Sequence, residues 1–167
     1  MVLDGDILNY FQESHIEVDM SLYENTTSFI FKIDYLSFSL NASISINHEI
    51  NLLSFQMAFE KPKVIENIAQ GLNILNQNST ILKAYYDKLE DAVFIKANHF
   101  VNEENVISTI SFIIESSKNI DSEYIENLYN TIYDEDYDLY DDEFDKAHEN
   151  TSIEDDMAEL MSLLKRR

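Results

Sequence analysis

The residues best placed to do chemistry are acids near the end of the chain. Asp134, Asp136, Asp138, Asp142 and Asp145 fall at positions 1, 3, 5, 9 and 12 of a calcium-loop template. That loop needs a glycine at its sixth position for a sharp turn and a bidentate glutamate at its last. Here those places hold Leu139 and the shorter Asp145. The run therefore reads as a solvated carboxylate segment that attracts divalent ions only loosely, and no metal site or cofactor is expected. His15, His48, His99 and His148 are scattered, with no second histidine three or four residues on. An imidazole works as ligand or base only where other groups converge on it, so these read as surface or hairpin residues. Asp87, Glu90 and Asp91 would serve as an acid/base pair only if burial separated their pKa values; clustered at a turn, they read as a charged hairpin. With no cysteine there is no thiolate ligand, thiol nucleophile or disulfide. Two glycines and one proline are too few for a phosphate-cradling loop, a dinucleotide fingerprint or a nucleophile elbow. The expectation is that the protein is not an enzyme.

Charge narrows the partners. The chain has 167 residues, 32 Asp and Glu against 11 Lys and Arg, and a net charge of −21. Phosphate backbones and anionic membranes select clusters of Lys and Arg, so direct nucleic-acid binding and membrane attachment are disfavoured. From Asp134 to Glu149 nine acids meet the single Lys146, a denser negative stretch than the rest of the chain carries. The N-terminus lacks the basic and apolar regions of a signal peptide, and no window approaches 18 uninterrupted apolar residues. A soluble, cytoplasmic protein is the expectation.

The apolar periodicity supplies the elements. Leu3, Ile7, Leu8 and Phe11 recur at helical spacing, behind Asp4 or Asp6 as a possible cap, and predict a short amphipathic helix ending near Ser14. From Thr26 to Phe59 the period changes to two: Phe29, Phe31, Ile33; Leu36, Phe38, Leu40; Ile44, Ile46; Leu53, Phe55, Met57. That alternation predicts a three-stranded antiparallel meander with one buried face, turning near Asp34 and near Asn47 to Glu49. Pro62 can open a helix carrying Val64, Ile65, Ile68, Leu72 and Leu75. Two strands follow, 81–86 and 92–97, joined at Lys88 to Asp91. Asn102 then caps a helix with Glu103 and Glu104 in its first turn and Val106, Ile107, Ile110, Ile113 and Ile114 on its apolar face. After a weak point at Ser116–Ser117, Tyr124, Ile125, Leu128, Tyr129 and Ile132 continue a helical stripe. The expected fold class is α+β: an antiparallel sheet of about five strands packed with helices, over residues 1–133.

The succession from Pro62 to Ile114 resembles that of YbjN-type domains: a helix ending in LNILN, a strand, a short acidic hairpin, an AVFIKA strand and a VNEENVISTI helix. The resemblance spans about Leu3 to Tyr133. It implies the type III secretion chaperone-like fold, an α/β sandwich that is often a homodimer, binds other proteins and has no catalytic residues. The acidic tail departs from that pattern.

Beyond Tyr133 the chain carries its own signals. Tyr129, Tyr133, Tyr137, Tyr140 and Phe144 lie at offsets 0, 4, 8, 11 and 15, on one side of a helix if the segment is helical. Aromatic residues among acids suit a basic, apolar groove on a partner; alternatively the last domain helix simply extends past Tyr133. Residues 134–150 read as an acidic linker, and 151–167 as an amphipathic helix. There Thr151 and Glu154 have capping-box spacing, Ile153, Met157, Leu160, Met161 and Leu164 form a stripe, and Lys165 to Arg167 close it. So short a helix is marginal alone in water and needs a surface to bury against, its own domain or a partner. The candidate partner-binding residues are Tyr137, Tyr140, Phe144, Met157, Leu160, Met161 and Leu164. The functional expectation is a non-enzymatic, chaperone-like regulatory protein that docks a protein partner, possibly basic, through its sheet surface, tail and terminal helix. The alternative is an acidic nucleic-acid mimic that inhibits a DNA- or RNA-binding protein.

Overall fold

The period-two stretch folds as the sequence pattern dictates except at Leu36, expected on the buried face but 95% exposed in the turn between the first two strands of the stretch. In the computed structural model, which describes residues 2–63 and 68–133, it forms β2 (Thr26–Asp34), β3 (Ser39–Asn47) and β4 (Leu52–Glu60), a continuous antiparallel meander. Phe29, Phe31, Ile33, Ile44, Ile46, Leu53, Phe55 and Met57 all face one side and are buried. The second hairpin is also present, as β5 (Lys83–Asp87) and β6 (Ala92–Phe100), and β6 pairs with β4 along its whole length. A further strand, β1 (Val18–Tyr23), pairs with β2 at the edge. The sheet thus has six strands in the order β1-β2-β3-β4-β6-β5, one more than the five expected. β1 escapes a burial-based reading because none of its residues is buried.

Four helices pack on the sheet. Helix α1 (Val2–Glu13) lies over β2, where the Phe11 ring meets those of Phe29 and Phe31 at centroid distances of 5.8 and 5.2 Å. Helix α2 (Ile68–Asn78) follows β4, and the residues between Lys63 and Ile68, including the expected helix positions Val64 and Ile65, lie outside the described set. Asn102, the expected cap of the next helix, does not take that place: the helix is preceded by Asn105, and the Asn102 side chain instead accepts the amides of Glu104 and Asn105 at 3.0 Å each. These bonds close a turn of Glu103 to Asn105, so helix α3 (Val106–Glu115) starts later than the sequence suggested.

The weak point at Ser116–Ser117 is real, but it is not a break. A π-helical turn, Ser116–Ile120, joins α3 to α4 (Ser122–Tyr133). The buried Ser117 hydroxyl bonds back to the carbonyls of Ile113 and Ile114, the competition with helix geometry that makes serine a poor interior residue. Helices α2 and α4 approach closely at Gly71, where an added Cβ would stand 2.8 Å from Leu128 Cδ1. Tyr129 on α4 stacks on Phe38, with centroids 3.9 Å apart, and closes the sheet end beside Phe59.

Residues 134–167 lie outside the described set. The calcium-loop aspartates, His148, the aromatics Tyr137, Tyr140 and Phe144, and the stripe of Met157, Leu160, Met161 and Leu164 all fall there.

Candidate functional site

Three polar clusters in the described residues have the residue types of a reactive site, and geometry accounts for each. His48, in the turn after β3, has Nε2 at 2.9 Å from Thr27 Oγ1 and 3.3 Å from Asp4 Oδ1. A hydroxyl–imidazole–carboxylate relay needs nucleophile and acid on opposite ring nitrogens. Here both approach the same nitrogen, which hydrogen-bonds Thr27 while Asp4 Oδ1 has no hydrogen-bond partner, and Thr27 is buried, so the ring holds the turn after β3 against β2 and does not activate the hydroxyl. At the β5–β6 hairpin, Asp87 Oδ1 accepts the Leu89 amide at 2.8 Å, and Asp91 Oδ1 accepts the Tyr86 hydroxyl at 2.8 Å. Two of the three hairpin acids are therefore occupied by the turn itself; the bond to Asp91 raises the Tyr86 pKa.

The third cluster is buried. Ser79 Oγ donates to Asp121 Oδ2 at 2.8 Å and accepts the Leu82 amide at 2.9 Å, joining the end of α2 to the start of α4. Nearby, Tyr35 Oη donates to the Ser117 carbonyl. Burial pushes the Tyr35 pKa up, and the charges of Glu126 and Asp121 push it further. Lys83 Nζ reaches only the Ser79 backbone carbonyl, and among the described residues no imidazole or amine bonds to the side chains of Ser79, Asp121 or Tyr35, so the cluster holds helices together and has no base placed on the Ser79 hydroxyl. Among the described residues, no three His, Asp or Glu side chains are grouped to hold a metal ion. His15 ends α1 with Nδ1 against the Glu13 carbonyl, and His99 is half-buried on β6.

The features with reach to a macromolecule are surfaces. The helices bury one face of the sheet, as the alternating burial along β2, β3 and β4 records. The opposite face presents Ser28, Ile30 and Lys32; Asn41, Ser43 and Ser45; Ser54, Gln56 and Ala58; and Lys96 and Asn98. The middle of that face holds no acid, in a chain of net charge −21. Its acids are Asp34, Glu60 and Asp87 together at one end, where Glu60 and Asp87 both pair with Ala92, and Asp19 on the β1 edge opposite Ile30. Ser28 and Ser45 hydrogen-bond across strands at 2.8 Å. The Lys96 ammonium stands 5.1 and 5.0 Å from the ring centroids of Tyr85 and Phe94, so its positive charge rests on an aromatic pair. Ile30 and Phe100 are exposed at 46% and 78%.

The second surface is the β1 edge. Met20, Leu22 and Tyr23 are exposed at 50%, 58% and 76%. An open groove at the start of this edge is lined by His15, Glu17, Asp19, Lys32, Asp34 and Lys118, a mixture of charges with no single preference. Sequence reasoning placed the binding residues after Tyr133 and missed the edge, although Val18, Met20 and Leu22 alternate with Asp19, Ser21 and Tyr23 and carry the strand signal.

No described helix is long and apolar enough to cross a membrane. No protein-family model matches the chain, and no curated protein matches it.

Proposed function

We propose that this chain is a non-enzymatic, chaperone-like regulatory protein that binds a protein partner. The observation that carries the reading is the sheet face that no described helix covers: broad, lined by hydroxyls and amides, and empty of acids at its centre while the chain is strongly negative. A protein surface can pair with the patch of Ser28, Ser43, Ser45, Ser54 and Gln56 without burying charge, the costly part of association, while Lys32 and Lys96 flank it. The acids beyond it then favour a partner with basic flanks and speed the encounter. In this reading the face acts with the acidic segment 134–150 and with the apolar residues Met157, Leu160, Met161 and Leu164, and the protein works in the cytoplasm as a homodimer.

The test is capture of partners by the full chain and by two variants. One carries Ser43→Arg with Gln56→Arg on the face, and the other carries Asp at positions 157, 160, 161 and 164. Loss of a specific protein partner in both variants, with circular dichroism unchanged, is the expected result. Binding that survives both sets of changes overturns the assignment. Capture of a DNA- or RNA-binding protein that DNA competes away, with graded loss as salt is added, would favour nucleic-acid mimicry instead.

A further inference from the structure

The two edges of the sheet are treated differently. β5 ends the sheet on one side with only five residues, and its Lys83 ammonium reaches the carbonyls of Asn76 and Ser79 at 2.9 and 2.8 Å, capping the C-terminal end of α2. Short strands and edge lysines are the devices that stop sheets from pairing edge to edge. β1, at six residues, is one residue longer, and its single charge is Asp19. It contains no lysine and no proline, and its register against β2 runs without a bulge from Val18↔Phe31 to Tyr23↔Thr26. Its outer backbone groups have no strand beyond them in the described sheet.

The side chains of β1 are also short of a cover. Because partners across an antiparallel ladder share a face, Val18, Met20 and Leu22 lie on the helix side with Phe31, Phe29 and Thr27. Helix α1 is centred over β2, where Phe11 packs, and it leaves Met20 and Leu22 half or more exposed. The core layer continues along the sheet as far as β2 and stops one strand early.

We propose that β1 pairs antiparallel with β1 of a second copy of this chain, about a two-fold axis through Met20, making one continuous sheet across a homodimer. Self-complementarity of the edge points to a second copy. For both helix layers to lie on the same side of the joined sheet, each residue must face one of the same parity. The register through Met20 sets Met20 against its own copy, Val18 against Leu22, Asp19 against Ser21 and Glu17 against Tyr23. All three apolar positions then meet apolar positions, and neither Asp19 nor the preceding Glu17 faces another acid, an important condition for two chains of −21 each. Moving the axis one residue, to Ser21, would set Val18 against Glu24. In the Met20 register the four side chains of Met20 and Leu22 from both copies line a strip between the two α1 helices and complete the layer that each copy lacks. A two-fold contact of this kind closes on itself and leaves no further β1 edge to propagate.

This interface deepens the homodimer of the proposed function and rests on that part of it: a monomer that still captures its partner would overturn the dimer and leave the partner-binding part intact, whereas a β1 dimer that captures no partner would do the reverse. The experiment uses the full chain, which has no cysteine of its own. Light scattering is expected to give twice the chain mass, and Met20→Lys with Leu22→Lys is expected to halve it with unchanged circular dichroism. Both side chains are exposed in one copy, so the lysines meet solvent there. In a separate variant, Met20→Cys treated with a short bismaleimide is expected to yield a covalent dimer, and Tyr85→Cys on the opposite edge is expected to form no covalent dimer. A single-chain mass for the natural protein, a dimer mass that survives the two lysines, or equal cross-linking at both cysteines overturns the proposal. If the lysine variant fails to fold, the two cysteine variants decide.

Discussion

At the scale of single residues, the polar groups with reactive side chains are joined to structure. Ser79 and Asp121 connect two helices, and His48 holds the turn after β3 to Thr27 of β2. Tyr133, the last described residue, donates its hydroxyl to the Glu60 carbonyl and so pins the end of α4 to the end of β4. Burial raises its pKa to about 12, with the charges of neighbouring Tyr129, Glu60 and Asp91 adding to the effect. Because the folded state favours the protonated phenol, this contribution is complete below the unfolded value near 10 and is lost as pH rises through about 12. Stability should therefore fall with pH across that window. Tyr133→Phe should make the fall shallower while lowering stability at neutral pH by about 1 kcal/mol for the lost hydrogen bond. Urea unfolding of both proteins at several pH values checks this; an identical slope in the two would show that the phenol is not held in the folded state.

At the scale of elements, most of what was legible in the sequence came from period and caps. The meander β2–β4 follows from the alternation between Thr26 and Phe59, and the π-helical turn falls where Ser116–Ser117 weakens the helical stripe. Two things were not legible. β1 has the alternation, but its burial is decided by where α1 lies, which no local pattern states. Gly71 sits inside a helical stripe, where sequence alone reads it as a cost; its purpose lies in α4, whose Leu128 and Thr131 approach it. Gly71→Ala should gain helix propensity yet displace the fully buried Leu128, for a net loss of about 1 kcal/mol, and Gly71→Val should lose more, about 2 to 3 kcal/mol. Chemical denaturation of the pair measures it. A Gly71→Ala variant more stable than the natural chain would mean that α2 and α4 adjust freely at this contact.

At the scale of the whole molecule, charge and layering set behaviour. A net charge of −21 repels itself in the compact state, so moderate salt should raise the melting temperature, whereas binding to a basic partner should weaken with the same salt. Thermal unfolding and partner titration at low and at physiological ionic strength separate the two effects. A melting temperature indifferent to salt would place the acids too far apart to repel. The amino-acid sequence by itself determined the α+β class, the antiparallel pairing, the absence of thiol chemistry and the strong negative charge, because those follow from composition and from periods of two and 3.6 residues. Only the tertiary structure decided which faces stay bare. The helix layer covers one side of the sheet and stops over β2, leaving a face without acids at its centre and an edge with apolar side chains in solvent. Coverage depends on how elements are stacked, and stacking is a property of distant contacts that no short stretch of sequence contains.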